Sequence, residues 1–247
     1  MGRISLELVP RSIESLETEL SFVTANFKGI DTINIPDLLR FDLRSWDACL
    51  LAKAYIKNTI PHIRAIDIDP SKPIPMADCF ISHQIREVVI VTGDPPQDMS
   101  HRVYNTTVLE VIRMFKEQIP GIKVYAAISP YRKSMSEEYS YATQKIRAGA
   151  DGFFTQPIFD LRLLGIYADL LQGFDVFWGI APVVSERSKG YWAAKNGAVF
   201  PKNFIPDLEW NIRFAREAME LIDGTEGNVY LMPIKLDVSK YLESIFA

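Results

Sequence analysis

Asp94 stands at the end of an apolar run, a place where α/β proteins commonly carry their chemistry. The run over residues 87–92 stops at Gly93, and the prolines at 95 and 96 prevent regular strand pairing from continuing. This pattern predicts a buried strand that delivers one carboxylate to a rigid loop. An Asp after Gly is also a common turn residue, so a purely structural role for Asp94 is the alternative.

Two more polar residues stand in similar places. Glu7 lies inside the apolar run 4–9, so its carboxylate faces either a barrel interior or a helix layer. A buried carboxylate is costly unless it is paired or protonated, and its protonated form is a general acid. A salt bridge with a lysine or arginine is an equal alternative. Gln156 follows the run 152–155 and offers a donor and an acceptor, which suits a planar heterocycle with an amide edge.

Other chemical signals in the chain are weaker. His62 is one of three histidines, and a lone histidine is more often a hydrogen-bonded structural residue than a catalyst. Arg132 lies in a basic tip at 129–133, which fits either a phosphate contact or a solvated loop. Cys49 and Cys79 lack metal-ligand spacing. Without a Ser-His-Asp pattern, HExxH, CxxC or P-loop, the sequence disfavours metal hydrolysis, acyl transfer and nucleotide hydrolysis and predicts no metal site.

Eight short apolar runs, each followed by a helical pattern, must position these residues. The predicted strands cover residues 4–9, 31–36, 64–68, 87–92, 123–128, 152–155, 175–180 and 228–232. The predicted helices cover residues 12–26, 45–59, 76–85, 106–118, 135–148, 159–171, 207–222 and 238–246. Parallel strands need helical crossovers, and eight of them close without edges, so we predict a (β/α)8 barrel. An open doubly wound sheet is the alternative, although no GxGxxG turn follows the first strand.

Composition and net charge indicate the number of domains and the classes of partner that the chain can bind. No composition break divides the 247 residues, so we expect a single catalytic barrel domain over 1–247, with an atypical loop or helical segment at 185–204. The net charge of -4 gives no basic stripe for nucleic acid or for an anionic membrane. Neither a secretory signal nor a membrane-spanning run is visible, so we expect a cytoplasmic protein.

Five motifs, taken in order, resemble the methylenetetrahydrofolate reductase family. They are Ser5 to Pro10, Pro61-His62, residues 92–96, residues 145–151 and residues 154–160. The resemblance implies a short, catalytic-domain-only member with a (β/α)8 barrel that acts in one-carbon metabolism and methionine biosynthesis. Such enzymes use FAD to carry hydride from NADH or NADPH to 5,10-methylenetetrahydrofolate and give 5-methyltetrahydrofolate.

The resemblance also implies roles for the polar residues described above. Glu7 matches the catalytic acid that supplies a proton at folate N10 and opens the five-membered ring to an iminium. Asp94 matches the acid near flavin and pterin, where its charge favours that cation. Gln156 matches the amide that contacts folate and then nicotinamide. In the 185–204 segment, Tyr191 or Trp192 is expected either to stack on folate as part of a lid or to pack a helix on the barrel.

Eight positions match residues that contact the flavin in the family. They are Asn34, His62, Thr92, Asp94, Ile128, Arg132, Glu138 and Lys145. Lys145 is the expected phosphate partner. The chain departs from the family pattern at Thr92, where arginine is frequent, and at Ile128, where tyrosine is common. A flavin-independent member with direct hydride transfer is therefore an alternative, as is a folate-binding partner subunit without the reductase step. Folate and nicotinamide are the expected small-molecule partners, and a homo-oligomer is compatible with the chain.

Overall fold

The computed structural model describes residues 2–95 and 101–247, and its centre is a closed parallel barrel with the strands in chain order. The strands are β1 Ile4–Glu7, β2 Thr32–Ile35, β3 Asn58–Arg64, β4 Glu87–Val91, β5 Lys123–Ile128, β6 Gly152–Thr155, β7 Asp175–Ile180 and β8 Asn228–Leu231. The helices are α1 Ile13–Asn26, α2 Ser45–Ala52, α3 Ala77–Ser82, α4 Val108–Gln118, α5 Met135–Arg147, α6 Leu161–Leu170, α7 Glu186–Asn196, α8 Leu208–Asp223 and α9 Val238–Phe246. Pairing of β1 with β8 closes the barrel. The predicted (β/α)8 barrel is confirmed, and the open sheet is wrong.

Several helices begin at side-chain caps that are visible in the sequence. The Ser12 hydroxyl accepts a hydrogen bond from the Ser15 amide at the start of α1. Thr107 and Ser134 form capping boxes at the starts of α4 and α5. These caps satisfy amide groups that a helix leaves without partners in its first turn. The predicted positions of these helices therefore agree closely with the structure.

The third strand lies earlier in the chain than predicted. The helix predicted over 45–59 ends at Ala52, and β3 covers Asn58–Arg64, while the predicted strand at 64–68 includes a 3-10 turn at Ala65–Asp67. Pro61, which the prediction placed before the strand, lies inside β3 opposite Ile35 of β2. A proline removes only one ladder hydrogen bond, and burial of nearly the whole strand outweighs this local loss. His62 and Arg64 are consequently strand residues.

Alternation along the strands divides the apolar side chains between two cores. The larger core lies between barrel and helices, and it contains Leu6, Leu8 and Ile63. The barrel lumen holds a separate cluster formed by Ile60, Val89, Tyr125, Phe154, Phe177, Ala181, Tyr230 and Met232. Because strand side chains alternate, residues two positions from a lumen residue also face the lumen. This rule places Glu7, His62, Arg64 and Gln156 on the lumen side.

The amino-terminal end of the barrel is closed by ion pairs. Arg3 makes two hydrogen bonds of 2.7 Å to the carboxylate of Glu87, and its guanidinium lies 5.3 Å from the Phe177 ring centroid. Asp175 accepts hydrogen bonds from Lys123 at 2.5 Å and from the Tyr125 hydroxyl at 3.0 Å. These contacts close the lumen below the aromatic cluster. The polar residues at the carboxyl ends of the strands lie at the opposite end of the barrel.

No helix in the described part of the chain combines the length and the apolar character that a membrane crossing requires.

Candidate active site

Glu7 lies at the carboxyl end of β1 and is half-buried on the lumen side. Tyr230 of β8 donates a short hydrogen bond from its hydroxyl to Glu7 Oε2. Burial raises the pKa of Glu7 to about 7, and the tyrosine hydrogen bond opposes part of this rise by stabilising the carboxylate. Burial and the adjacent carboxylate raise the pKa of Tyr230 well above its usual range. Glu7 thus changes protonation near neutral pH, which suits a general acid.

A hydrogen-bonded chain of three polar residues crosses β1, β2 and β3 beside this pair. The side-chain amide of Asn34 donates to Ser5 Oγ at 2.7 Å, and His62 Nε2 lies 3.0 Å from Asn34 Oδ1. Burial lowers the pKa of His62 to about 4, so its ring is neutral at neutral pH. The His62 ring packs edgewise against Phe154 and Tyr230, with centroid distances of 6.3 and 6.5 Å. Asn34 and His62 therefore adjoin the Glu7 site.

Asp94 follows β4 in an exposed loop at the same end of the barrel. Gly93 has a φ of 86°, which favours glycine, and the loop turns there. Arg64 Nη2 donates to the main-chain oxygen of Asp94 at 2.6 Å, and Arg64 Nε lies 3.1 Å from Asp67 Oδ2. The exposed Asp94 side chain is thus open to a ligand, while Arg64 holds the main chain of the same residue. Pro96 of the predicted motif lies outside the described residues.

Gln156 follows β6 and is half-buried on the lumen side, two residues from Phe154. The main-chain N–H of Gln156 donates to the main-chain oxygen of Ile128 at 2.7 Å. In the described part of the chain its side-chain amide makes no hydrogen bond to protein, so both of its polar ends are open to a ligand. Gly179 allows β7 to lie close to the end of β6 beside Gln156, because a Cβ at position 179 would lie 2.6 Å from the main-chain oxygen of Thr155.

Three of the residues predicted to contact flavin lie behind the barrel wall. Lys145 donates from Nζ to the main-chain oxygen of Ala127 at 2.6 Å and lies 3.9 Å from Glu138 Oε1. Burial lowers the pKa of Lys145 to about 8. Glu138 accepts a hydrogen bond of 3.1 Å from the Ser129 amide. Ile128 is 1% exposed and belongs to the core between barrel and helices. A phosphate would reach Lys145 only after the ammonium left this buried position.

The remaining predicted residues are exposed or divided between surface and core. Thr92 and Arg132 are exposed in the loops after β4 and β5. Segment 185–204 contains α7, in which Trp192 is buried with its ring 5.6 Å from that of Phe159. Tyr191 is 52% exposed, and Lys235 Nζ lies 5.4 Å from its ring centroid. Trp192 therefore packs α7 on the barrel, and contact between Tyr191 and folate stays a prediction.

The groups predicted to hold FAD do not form an open binding site in this arrangement. Asn34, His62, Glu138 and Lys145 are buried with hydrogen bonds inside the protein, and Ile128 is core. A diphosphate needs several exposed N–H donors or cations, and Arg132 is the one exposed cation in the predicted set. The donor set therefore does not fit FAD as placed. Glu7, Asp94 and Gln156 instead offer acid, anion and amide groups that suit a pterin ring.

Tyr230 and Arg64 are site residues that the sequence reasoning missed. Tyr230 stands opposite Ser5 only because β8 pairs with β1, so its contact with Glu7 depends on barrel closure. Arg64 was placed at the start of a strand, and its inward direction follows from the corrected bounds of β3. The alternation Asn228, Tyr230, Met232 in an otherwise apolar run was the one available signal for Tyr230.

A known protein family matches most of the chain. The family model described as methylenetetrahydrofolate reductase matches residues 43–226. The 5,10-methylenetetrahydrofolate reductase of Escherichia coli (strain K12) is 27% identical over 128 residues, which cover 50% of this chain and 43% of that protein. The enzyme of the same name from Buchnera aphidicola subsp. Schizaphis graminum is 21% identical over 150 residues, 59% of this chain and 51% of that protein. The matched region thus spans about half the length of these relatives.

Solved structures resemble the fold over almost the whole chain. A Clostridium thermocellum protein, described as binding two copies of 5-methyl-5,6,7,8-tetrahydrofolic acid, has a TM-score of 0.62 at 14% identity and covers 99% of this chain and 92% of its own. Dihydropteroate synthase from Thermus thermophilus has a TM-score of 0.53 at 14% identity, with 99% and 90% covered. At these identities the likeness concerns the fold alone.

His62, Asp94 and Gln156 lie inside the family match, whereas Glu7 and Tyr230 lie outside it.

Proposed function

The chain belongs to the methylenetetrahydrofolate reductase family, and from this premise we propose that it reduces 5,10-methylenetetrahydrofolate to 5-methyltetrahydrofolate with hydride from NAD(P)H. The observation that carries the proposal is Glu7, a lumen carboxyl group whose pKa of about 7 allows proton donation at neutral pH. Asp94 and Gln156 at the same end of the barrel support it. The folate ligand of the Clostridium thermocellum neighbour supports a folate site on this fold.

In the proposed reaction Glu7, Asp94 and Gln156 have separate roles. Protonated Glu7 gives its proton to N10 of the folate, the bond between N10 and the methylene carbon breaks, and N5 becomes an iminium. Hydride from the nicotinamide adds to the methylene carbon and gives the N5-methyl group, while Glu7 is left as the carboxylate. The exposed Asp94 carboxylate stabilises the cationic iminium, and the free amide of Gln156 pairs with the pterin edge. One proton and one hydride are consumed for each product.

The route of the hydride separates two forms of the proposal. FAD is the carrier that the family resemblance implies. The buried positions of Lys145 and Glu138 favour the second candidate, direct transfer from NAD(P)H to folate, because these side chains are already bonded inside the protein. An absorption spectrum of the purified protein decides between them. A flavin band that NAD(P)H bleaches, with ping-pong kinetics, supports FAD; a colourless protein with ternary-complex kinetics supports direct transfer.

Replacement of Glu7 tests the reductase itself. Glu7→Gln keeps the size of the side chain but removes the proton donor, so we expect the rate of folate-dependent NAD(P)H oxidation to fall at least about 100-fold. Folate binding, measured by calorimetry, should change little. Glu243→Gln, an exposed substitution on α9, is the control and should retain the wild-type rate.

Two results would contradict this assignment. Full folate turnover in Glu7→Gln would remove the acid role. A wild-type protein that binds folate tightly but oxidises no NAD(P)H would instead indicate a folate-binding partner subunit.

A further inference from the structure

Arg64 connects the end of β3 to the loop that carries Asp94. Its side chain is 8% exposed and lies on the lumen side of the barrel. Nη2 donates to the main-chain oxygen of Asp94 at 2.6 Å, whereas Nε lies 3.1 Å from Asp67 Oδ2. One buried guanidinium thus contacts the turn after its own strand and the loop after the next strand.

The loop rests directly on this arginine. Gly93 has a positive φ, and a Cβ at that position would lie 2.9 Å from Arg64 Cβ. The Ile66 amide also donates to the main-chain oxygen of Thr92 at 3.2 Å. The main chain of three consecutive loop residues is therefore held against the end of β3, and the Asp94 side chain starts from this held main chain.

The far side of the guanidinium is itself supported by charged residues. Asp67 lies 3.4 Å from Arg44, and Arg44 makes two hydrogen bonds, of 2.9 and 2.5 Å, to Asp37. Asp37 also accepts from the Ser45 amide at 3.3 Å, and the Ser45 hydroxyl donates to the main chain of β3 at 2.7 Å. Arg64 is consequently held in one orientation by a network anchored on β3 and α2.

We propose that Arg64 is the positioning residue for Asp94, a role that rests on the proposed function. Its guanidinium donates from Nη2 to the Asp94 main chain and pairs with Asp67 through Nε, and so holds the main chain that carries the Asp94 carboxylate. Lysine has one ammonium group and cannot place separate nitrogens at both positions. Loss of Arg64 should therefore remove the contribution of Asp94 to the reaction and leave the chemistry of Glu7 in place.

A double-mutant cycle tests this coupling in the full chain. The variants are Arg64→Met, Asp94→Asn and the pair together, with kcat for folate reduction as the measurement. We expect Arg64→Met to lower kcat about 10-fold in the wild-type background and less than about twofold in the Asp94→Asn background. Arg64→Lys should recover only part of the loss. Equal losses in both backgrounds would overturn the proposal.

Arg3→Met is the control for loss of a partly buried, ion-paired arginine. Arg3 holds the amino-terminal end of β4 through Glu87, whereas Arg64 holds the loop at its carboxyl end. We expect Arg3→Met to lower stability, and any change that it causes in kcat should be the same with and without Asp94.

Hydrogen exchange of the Ile66 amide provides a readout that does not depend on activity. This amide is bonded to Thr92, so a loosened loop should exchange it at least about 10-fold faster in Arg64→Met and leave the rate unchanged in Arg3→Met. Unchanged exchange in Arg64→Met overturns the positioning role even if the wild-type enzyme is active. If exchange is accelerated in Arg64→Met but the wild-type protein has no reductase activity, the proposed function is refuted. The contact by which Arg64 holds the loop is then still supported.

Discussion

The hydrogen bond from Tyr230 to Glu7 should set the pH at which the enzyme loses activity. Tyr230→Phe removes only the hydroxyl group and keeps the ring that packs on His62 and Phe154. The hydroxyl stabilises the Glu7 carboxylate, so its loss leaves burial unopposed and raises the Glu7 pKa further above about 7.

The size of the effect follows from the strength of a charged hydrogen bond. Such a bond contributes about 1.5–3 kcal/mol, and one pH unit of pKa corresponds to about 1.4 kcal/mol. We therefore expect the pKa to rise by about one to two pH units in Tyr230→Phe. In the proposed mechanism protonated Glu7 is the active form, so the wild-type rate should fall as pH rises through about 7, and the variant should lose its rate at higher pH.

The assay is kcat/KM for folate reduction measured across neutral and alkaline pH, which reports the pKa of the free enzyme. Tyr241→Phe is the matched control, since Tyr241 is buried away from the site and its hydroxyl has no partner in the described part of the chain. The control should show the wild-type profile. An alkaline limb that stays in place or moves to lower pH in Tyr230→Phe would refute the reasoning.

Three further predictions concern stability and the residues of α7. Arg3→Met removes the cation paired with the partly buried Glu87, which then keeps only the Tyr125 hydroxyl in the described part of the chain. The free energy of unfolding in urea should therefore fall by about 3 kcal/mol, the low end of the range for a broken buried ion pair. Unchanged stability would mean that this ion pair contributes nothing. Trp192→Ala should lower the same quantity by about 3 kcal/mol, because its ring is buried, while the exposed Tyr191→Ala should change it by less than about 0.5 kcal/mol. If Tyr191 contacts folate, Tyr191→Ala alone should also raise the folate KM, and an unchanged KM would remove Tyr191 from the site.

Much of the barrel could be predicted because its signals are local. Apolar runs located β4 to β8, and apolar residues at helical spacing located α1 and α4, which Ser12 and Thr107 cap at their starts. The error at β3 has the same origin. The local pattern predicted a helix to residue 59 and a strand from residue 64, and only pairing with β2 and β4 makes residues 58–64 a strand.

The sequence by itself determined the barrel, the family and three polar residues at strand ends, Glu7, Asp94 and Gln156. These depend on periods of a few residues and on motif order, which are properties of the chain. Only the tertiary structure decided that Tyr230 meets Glu7 and that Lys145 is buried. Glu7 and Tyr230 are 223 residues apart, and barrel closure and strand register, which no local pattern encodes, bring them into contact.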